Sequence, residues 1–212
     1  MNKTQAYFAN VAGEWDEIRA GFFTAEMRDA AIARAALPAG AEIADVGTGT
    51  GFVLAGLTGR STRLVGFDAS AEMLAVARRR FAPYPQVEFQ QTDGATLPAA
   101  DNSFDAVFAN MFLHHAPDPA GAILEMVRII RPGGQLVITD LDTHDQEWMR
   151  AEMADEWLGF DRADIRTWYA AAGLADIDID CAAGTCNCAA PAGDDISLSI
   201  FVAIGRKQCF DS

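Results

Sequence analysis

The sequence predicts an α/β fold: one domain built on a mostly parallel seven-stranded sheet, covered by helices on both faces and preceded by a helical cap. Three observations carry this expectation. Short apolar runs alternate with stretches of helical spacing through the middle of the chain; the first run passes directly into a glycine-rich turn; and the last two runs lie close enough to pair as an antiparallel hairpin.

Taken in order, residues 1–37 read as the helical cap, with Met27, Ile32 and Leu37 as apolar positions and Trp15, Phe22 and Phe23 as an aromatic group. Strand-like runs follow at 42–46, 63–68, 87–91, 104–109 and 135–140. Helical stretches at 51–59, 71–82 and 119–130 separate them, as parallel neighbours require, because only a crossover returns the chain to the same edge. Gly59, Tyr84-Pro85 and Arg131-Pro132-Gly133-Gly134 mark helix ends. Beyond residue 142 the pattern changes: 145–158 and 161–172 look helical, Gly173 ends the second, and 176–180 and 196–204 read as strands joined by a loop of Cys, Gly and Ala. The organisation expected is a cap (1–37), a ligand-binding core (40–142) and a segment of helices and hairpin (143–212).

Composition narrows the function. The 212 residues are 50% hydrophobic, enough for a sizeable core, which excludes disorder. The 16 basic and 30 acidic residues give a net charge of −14 and a pI near 4.4, so the average surface repels nucleic-acid phosphates and anionic lipid. No apolar run approaches the roughly 18 residues of a membrane helix, and the first residues lack the apolar centre of a signal peptide, so a cytoplasmic location is expected. Four cysteines are too few for a disulfide framework, yet Cys181, Cys186 and Cys188 cluster.

The strongest chemical signal is EIADVGTGTGFVLAGL, where a strand runs into Gly47, Gly49 and Gly51 and then a helix. Glycines let the backbone bend sharply and approach a ligand closely, and the helix start offers free N–H groups. Asp68 ends the second strand, where a carboxylate can accept from both hydroxyls of a ribose; the plainer role of helix cap suits Ser70 better. Asp93-Gly94 follows the third strand and can meet an adenine amino group or simply form a turn. A pyrophosphate disfavours nearby carboxylates and goes with G-x-G-x-x-G, whereas this chain has G-x-G-x-G with Asp45 just before it. The acidic rim suits S-adenosylmethionine, whose sulfonium and ammonium are cationic.

The ordered segments DVGTGTG, GFDASAEML, QTDGATLP, DNSFDAVFANMFLHHAPDP and RPGGQLVITD resemble the class I S-adenosylmethionine-dependent methyltransferases, specifically the type 11 group that includes ubiquinone and menaquinone biosynthesis enzymes. The resemblance covers residues 40–142, and DLDTHDQEWMRAEMADEWLGFDRADIRTWYAAAGL looks like methyltransferase domains that accompany ArsR-type regulators. It implies a Rossmann-like, doubly wound sheet in the order 3-2-1-4-5-7-6 with strand seven antiparallel. It further implies Asp45, Gly47, Gly49 and Gly51 around the methionine moiety, Asp68 on the ribose, Ala69 and Met73 against the adenosine, Asp93 and Gly94 at the adenine, and Asn110 near the transferred methyl. Asn110 is followed by Met-Phe-Leu, unlike the Asn/Asp-Pro-Pro-aromatic segment of enzymes that methylate DNA amino groups.

The expected activity is therefore methyl transfer to a small-molecule acceptor, with S-adenosylhomocysteine as product and no metal. His114 and His115 follow strand four and are the candidate bases for an acceptor that must lose a proton. His144, Cys181, Cys186 and Cys188 are candidate acceptor contacts; three soft thiols would suit arsenite, the alternative acceptor. A cofactor-binding regulatory protein without catalysis is the second alternative. Oligomeric state is left open.

Overall fold

The computed structural model describes residues 3–92, 95–189 and 195–209, with backbone alone for 183–189 and 195. Asp93 and Gly94, and the side chains of Cys186 and Cys188, lie outside the described residues. The cap is three helices: α1 (Lys3–Val11), α2 (Trp15–Ala20) and α3 (Ala25–Arg34). The core runs β1 (Ala41–Val46), α4 (Phe52–Ala55), β2 (Ser61–Asp68), α5 (Ala71–Arg80), β3 (Val87–Gln91), β4 (Phe104–Asn110), a 3-10 turn (Leu113–His115), α6 (Pro119–Ile129) and β5 (Ile130–Leu141). The remainder is α7 (Trp148–Glu152), α8 (Arg162–Ala171), β6 (Leu174–Ala189) and β7 (Asp195–Lys207).

The sheet order is β3-β2-β1-β4-β5-β7-β6. Pairs among β1 to β5 are parallel, and β7 is antiparallel to both β5 and β6, as the sequence leads one to expect. Because successive side chains alternate across the pleat, each central strand serves two cores. Ile43, Phe108, Val137 and Val202 face one, with Met27 and Ile32 of α3 and Phe52 and Leu54 of α4. Ala44, Val107, Ile138 and Phe201 face the other, with Ile123, Met126 and Val127 of α6 and Ile165 and Tyr169 of α8.

Helix starts follow local chemistry. Side-chain oxygens of Thr24, Ser70, Asp118 and Asp161 accept backbone N–H bonds from the first turns of α3, α5, α6 and α8, and Pro119 opens α6 where its missing N–H costs nothing. No helix among the described residues is long and apolar enough to cross a membrane.

Three sequence expectations are corrected. The helix expected over 51–59 shrinks to four residues: Gly56 is its C-cap, and beyond it Leu57 and Arg60 N–H groups bond three residues back, to Leu54 and Leu57, as turns. The helix expected over 145–158 is only α7, since the following residues bond elsewhere. Glu156 and Trp157 N–H donate to the His114 carbonyl, and Phe160 N–H to the Leu141 carbonyl. The loop expected after residue 180 is strand: β6 runs on through Cys181, Cys186 and Cys188 against β7, with an irregularity between Cys181 and Thr185. Backbone pairing outweighed a composition that reads as a loop.

Gly159 shows how tightly the 153–160 segment lies on the end of β5. Its φ is +72°, and a Cβ there would stand 2.2 Å from the Asp142 carbonyl oxygen. Left-handed backbone and collision with rigid main chain act together, so Gly159→Ala should lower unfolding free energy by about 2 kcal/mol or more in urea titration. Gly59→Ala, where nothing lies within 4 Å, should be neutral or gain at most about 1 kcal/mol.

Candidate active site

The carboxyl ends of β1, β2 and β4 open into a cavity of about 340 Å³, at the point where strand order reverses and open α/β sheets bind ligands. Its floor is the turn after β1. Gly47 and Thr48 N–H groups both donate to the Phe67 carbonyl (2.9 and 3.0 Å), tying the turn to β2. Gly49 N–H donates to Asp68 Oδ2 at 2.8 Å, and Ser70 N–H donates to Asp68 Oδ1 at 2.8 Å. Both carboxylate oxygens are thus held by backbone N–H groups, and Asp68 also lines the cavity.

The glycines have different jobs. A Cβ on Gly47 would meet the Phe112 ring at 2.5 Å, and one on Gly51 would meet Phe81 at 2.3 Å; both also carry positive φ. Gly51 therefore serves turn packing and does not line the cavity, contrary to the expectation from sequence. Gly47 and Gly49 do line it, with Asp45, Asp68, Ala69, Met73 and Asn110.

Asp45 is buried, and burial pushes its pKa up to about 7, against the Thr48 hydroxyl bond (2.7 Å) and with help from the Asp68 charge. Its Oδ1 has no hydrogen-bond partner among the described residues. Asp68 is also shifted upward by enclosure, opposed by the N–H groups of Ser70, Gly49 and Ala69. Asn110 Oδ1 accepts from Thr139 Oγ1 at 2.6 Å, fixing the amide at the end of β4. Met111 then takes φ +50°, turning the chain over the cavity into the 3-10 turn.

The two neighbouring histidines point to different places. His115 lines the cavity. Its Nδ1 lies 3.2 Å from the Ala154 carbonyl, which can only accept, so Nδ1 carries the proton and Nε2 is an acceptor. Burial and the adjacent His114 hold His115 well below the usual imidazole range, against the pull of that carbonyl. His114 is in the core and does not line the cavity, which corrects its role as a candidate base. Its Nδ1 is 2.6 Å from Asp140 Oδ1. Burial pulls its pKa down, but Asp140, by charge and hydrogen bond, and the Asp155 charge outweigh burial and raise it.

His144 also lies outside the cavity lining, its Nδ1 accepting from Gln146 N–H at 3.2 Å. Cys181 is exposed on the edge strand β6, where Arg162 donates to its sulfur at 3.4 Å while also gripping Asp142 with two 2.7 Å bonds. It is not at the cavity either.

The cap supplies residues that sequence reasoning missed. Phe8, Trp15 and Arg19 line the cavity. Arg19 Cζ stacks 3.7 Å from the centre of the Phe52 ring, Nη1 donates to the Phe23 carbonyl at 2.7 Å, and the buried Nε, 4.0 Å from Asp16 Oδ1, has no hydrogen-bond partner among the described residues. In sequence, Trp15 reads only as one of the aromatic residues of the cap, and no motif singles out Phe8 or Arg19.

A parallel sheet of this order, closed by an antiparallel β7, with a glycine turn and acidic strand ends around one cavity, defines the class I S-adenosylmethionine-dependent methyltransferase fold. Residues 44–138 match the family described as "Methyltransferase domain". The chain is 31% identical over 159 residues to the demethylmenaquinone methyltransferase of Lysinibacillus sphaericus, covering 69% of this chain and 67% of that protein. It is 40% identical over 114 residues to the demethylmenaquinone methyltransferase of Clavibacter sepedonicus, covering 53% of this chain and 46% of that protein. Among solved structures, the Haemonchus contortus phosphoethanolamine N-methyltransferase 2 complex with phosphomonomethylethanolamine and S-adenosylhomocysteine superposes with a TM-score of 0.78 at 16% identity, over 99% of this chain and 61% of that one. The chain belongs to the type 11 methyltransferase domain family, whose cofactor is S-adenosylmethionine. It spans half or less of the length of several curated relatives that it matches.

The Asp45 shift gives a signed pH dependence. From the ordinary value of 3.8 up to about 7 the folded chain keeps a proton that the unfolded chain releases, so this group's contribution to stability falls as pH rises through that window. Asp45→Asn should flatten the slope, its stability relative to wild type rising between about pH 4 and pH 7 and levelling off above that in urea titrations.

Proposed function

We propose that this chain transfers a methyl group from S-adenosylmethionine to a small, flat aromatic acceptor and releases S-adenosylhomocysteine. The observation that carries the reading is Asp68, a carboxylate at the end of β2 that lines the cavity with both oxygens fixed by backbone N–H groups, the residue type and position suited to accept from a ribose diol. The remaining residues fit the rest of the cofactor. Gly49 admits it to the backbone, the orphaned Asp45 Oδ1 and Arg19 Nε offer partners of opposite sign for an ammonium and a carboxylate, and Met73 and Ala69 offer an apolar wall to the adenosine. Asp93 and Gly94, outside the described residues, keep the adenine role implied by resemblance.

The bound cofactor supplies a methyl on a cationic sulfur, an electrophile that needs no acid to release its leaving group. The protein's part is orientation and exclusion of water, worth roughly 7–11 kcal/mol when reacting atoms are held in attack geometry. Phe8, Trp15 and Phe112 offer ring faces and edges to a flat acceptor, and Asn110, held by Thr139, borders the same space. Relatives named demethylmenaquinone methyltransferase support an acceptor of that shape. His115 Nε2 accepts a hydrogen bond from an acceptor hydroxyl and so aims its lone pair. Its depressed pKa makes it a weak store for the proton, which suits acceptors acidic enough to lose that proton to solvent.

Calorimetry with S-adenosylhomocysteine tests the reading. Binding should be 1:1, and Asp68→Ala should weaken it by about tenfold or more, because two hydroxyls lose a charged acceptor. Binding of a nicotinamide dinucleotide without S-adenosylhomocysteine binding would overturn the cofactor assignment. Tight binding without product release across a panel of aromatic hydroxy acceptors would point to the regulatory alternative.

A further inference from the structure

Behind the cavity wall, on the far side of His115, lies a cluster whose other members, His114 and Asp155, methyl transfer does not use. Asp155 is enclosed, its side chain 1% exposed, and neither carboxylate oxygen has a hydrogen-bond partner among the described residues. Two ring nitrogens face it, His114 Nε2 and His115 Nδ1, each 3.8 Å from Asp155 Oδ1. That is too long for an N–H···O bond and too close for charged and lone-pair groups to ignore each other. His114 Nδ1 is committed to Asp140 at 2.6 Å, so in the neutral ring the proton is there and Nε2 turns a lone pair toward the carboxylate. A buried carboxylate that accepts no hydrogen bond and faces the His114 Nε2 lone pair is an unfavourable arrangement unless a cation lies between them.

We propose that His114 Nε2, His115 Nδ1 and Asp155 form a binding site for a divalent transition-metal cation. One candidate donor atom from each residue falls within a 4.8 Å cluster. Metal–ligand bonds of about 2.0–2.2 Å put tetrahedral ligands about 3.4 Å apart, so the two 3.8 Å distances to Asp155 need a few tenths of an ångström of closure and the cluster as a whole, within 4.8 Å, about 1.4 Å or less. Two imidazoles and one carboxylate favour zinc, cobalt or iron(II) over magnesium or calcium, which prefer all-oxygen sets. Asp140 behind His114 supplies the carboxylate–histidine support typical of such ligands.

The backbone already holds the partners together, since Glu156 and Trp157 N–H groups both donate to the His114 carbonyl at 3.0 Å. Three protein ligands leave a coordination position open. Ligation through His115 Nδ1 displaces its bond to Ala154 and moves the ring proton to Nε2. The imidazole at the cavity wall then changes from acceptor to donor, with the proton conserved. Metal occupancy and acceptor binding are coupled through this one side chain, a consequence that rests on the proposed function; the metal site itself does not.

The test uses tag-free protein stripped with chelator and titrated with zinc and with cobalt(II). The expected result is one equivalent bound, a cobalt spectrum without a thiolate charge-transfer band, no response to magnesium, and a zinc-dependent rise in Tm. Asp155→Asn and, independently, His115→Gln should each weaken zinc binding at least tenfold, with Asp140→Asn losing about 10–100-fold. Folding of each variant is checked by circular dichroism, and S-adenosylhomocysteine binding is measured in parallel, so loss of the cofactor site is distinguished from loss of the metal site. Zinc binding by folded Asp155→Asn as tight as wild type, a thiolate band, or no stoichiometric binding would overturn the proposal and leave His114 as an imidazolium between Asp140 and Asp155.

Discussion

The arrangement turns on one carboxylate. Asp68 sits at the end of β2 and holds two backbone N–H groups, Gly49 from the turn after β1 and Ser70 from the start of α5. It ties together two turns that converge on the cavity, one of which is also bonded to the Phe67 carbonyl. The same residue that fixes the floor also lines the ligand space. Scaffold and cavity wall thus share one residue, and the backbone N–H groups oppose the upward shift that enclosure imposes on the carboxylate.

A second buried acid organises the other wall. Asp140, at the end of β5, accepts from Leu113 N–H at 2.8 Å and Leu141 N–H at 2.8 Å while binding His114 Nδ1. It therefore orients the 3-10 turn after β4, which carries His115 to the cavity. The turn in turn receives the 154–157 segment: Glu156 and Trp157 bond to the His114 carbonyl, and Trp157 Nε1 donates to the Ala116 carbonyl at 3.0 Å. A contiguous set of hydrogen bonds links β5, the post-β4 turn and the chain beyond α7, so the two histidines, adjacent in sequence, occupy unlike environments.

The sheet alone offers a crevice, and the cap turns it into a cavity. Phe8 meets His115 and Trp15 edge to face, with ring centres 5.0 and 5.1 Å apart. Asp16 links the cap to the core by accepting from Thr50 Oγ1 at 2.7 Å and pairing with Arg80 at 3.3 Å. Aromatic edges close the roof and exclude water, while Arg19 introduces a cation into an acidic surround, partly stripped of its solvation and stacked on Phe52. The half-exposed pair to Arg80 contributes little energy, so the packing of the rings carries most of the closure.

The sequence by itself determined the alternation of strands and helices, the closing hairpin and the floor of the site, because these follow from local rules: apolar runs, crossover helices, and glycines where only left-handed backbone allows the turn; the strand order came from the resemblance of its motifs to a known family. Asp45, Gly47, Gly49 and Asp68 were legible for the same reason, since a strand end places them at the switch point regardless of the rest. Only the tertiary structure decided which histidine reaches the cavity, that Gly51 packs on Phe81, and that the cysteine-rich stretch continues β6. It also brought Arg19, Trp15 and Asp155 to places no spacing announces. These outcomes depend on contacts between segments distant in the chain, where burial of aromatic faces and satisfaction of backbone hydrogen bonds outweigh the weak local preferences that a sequence pattern records.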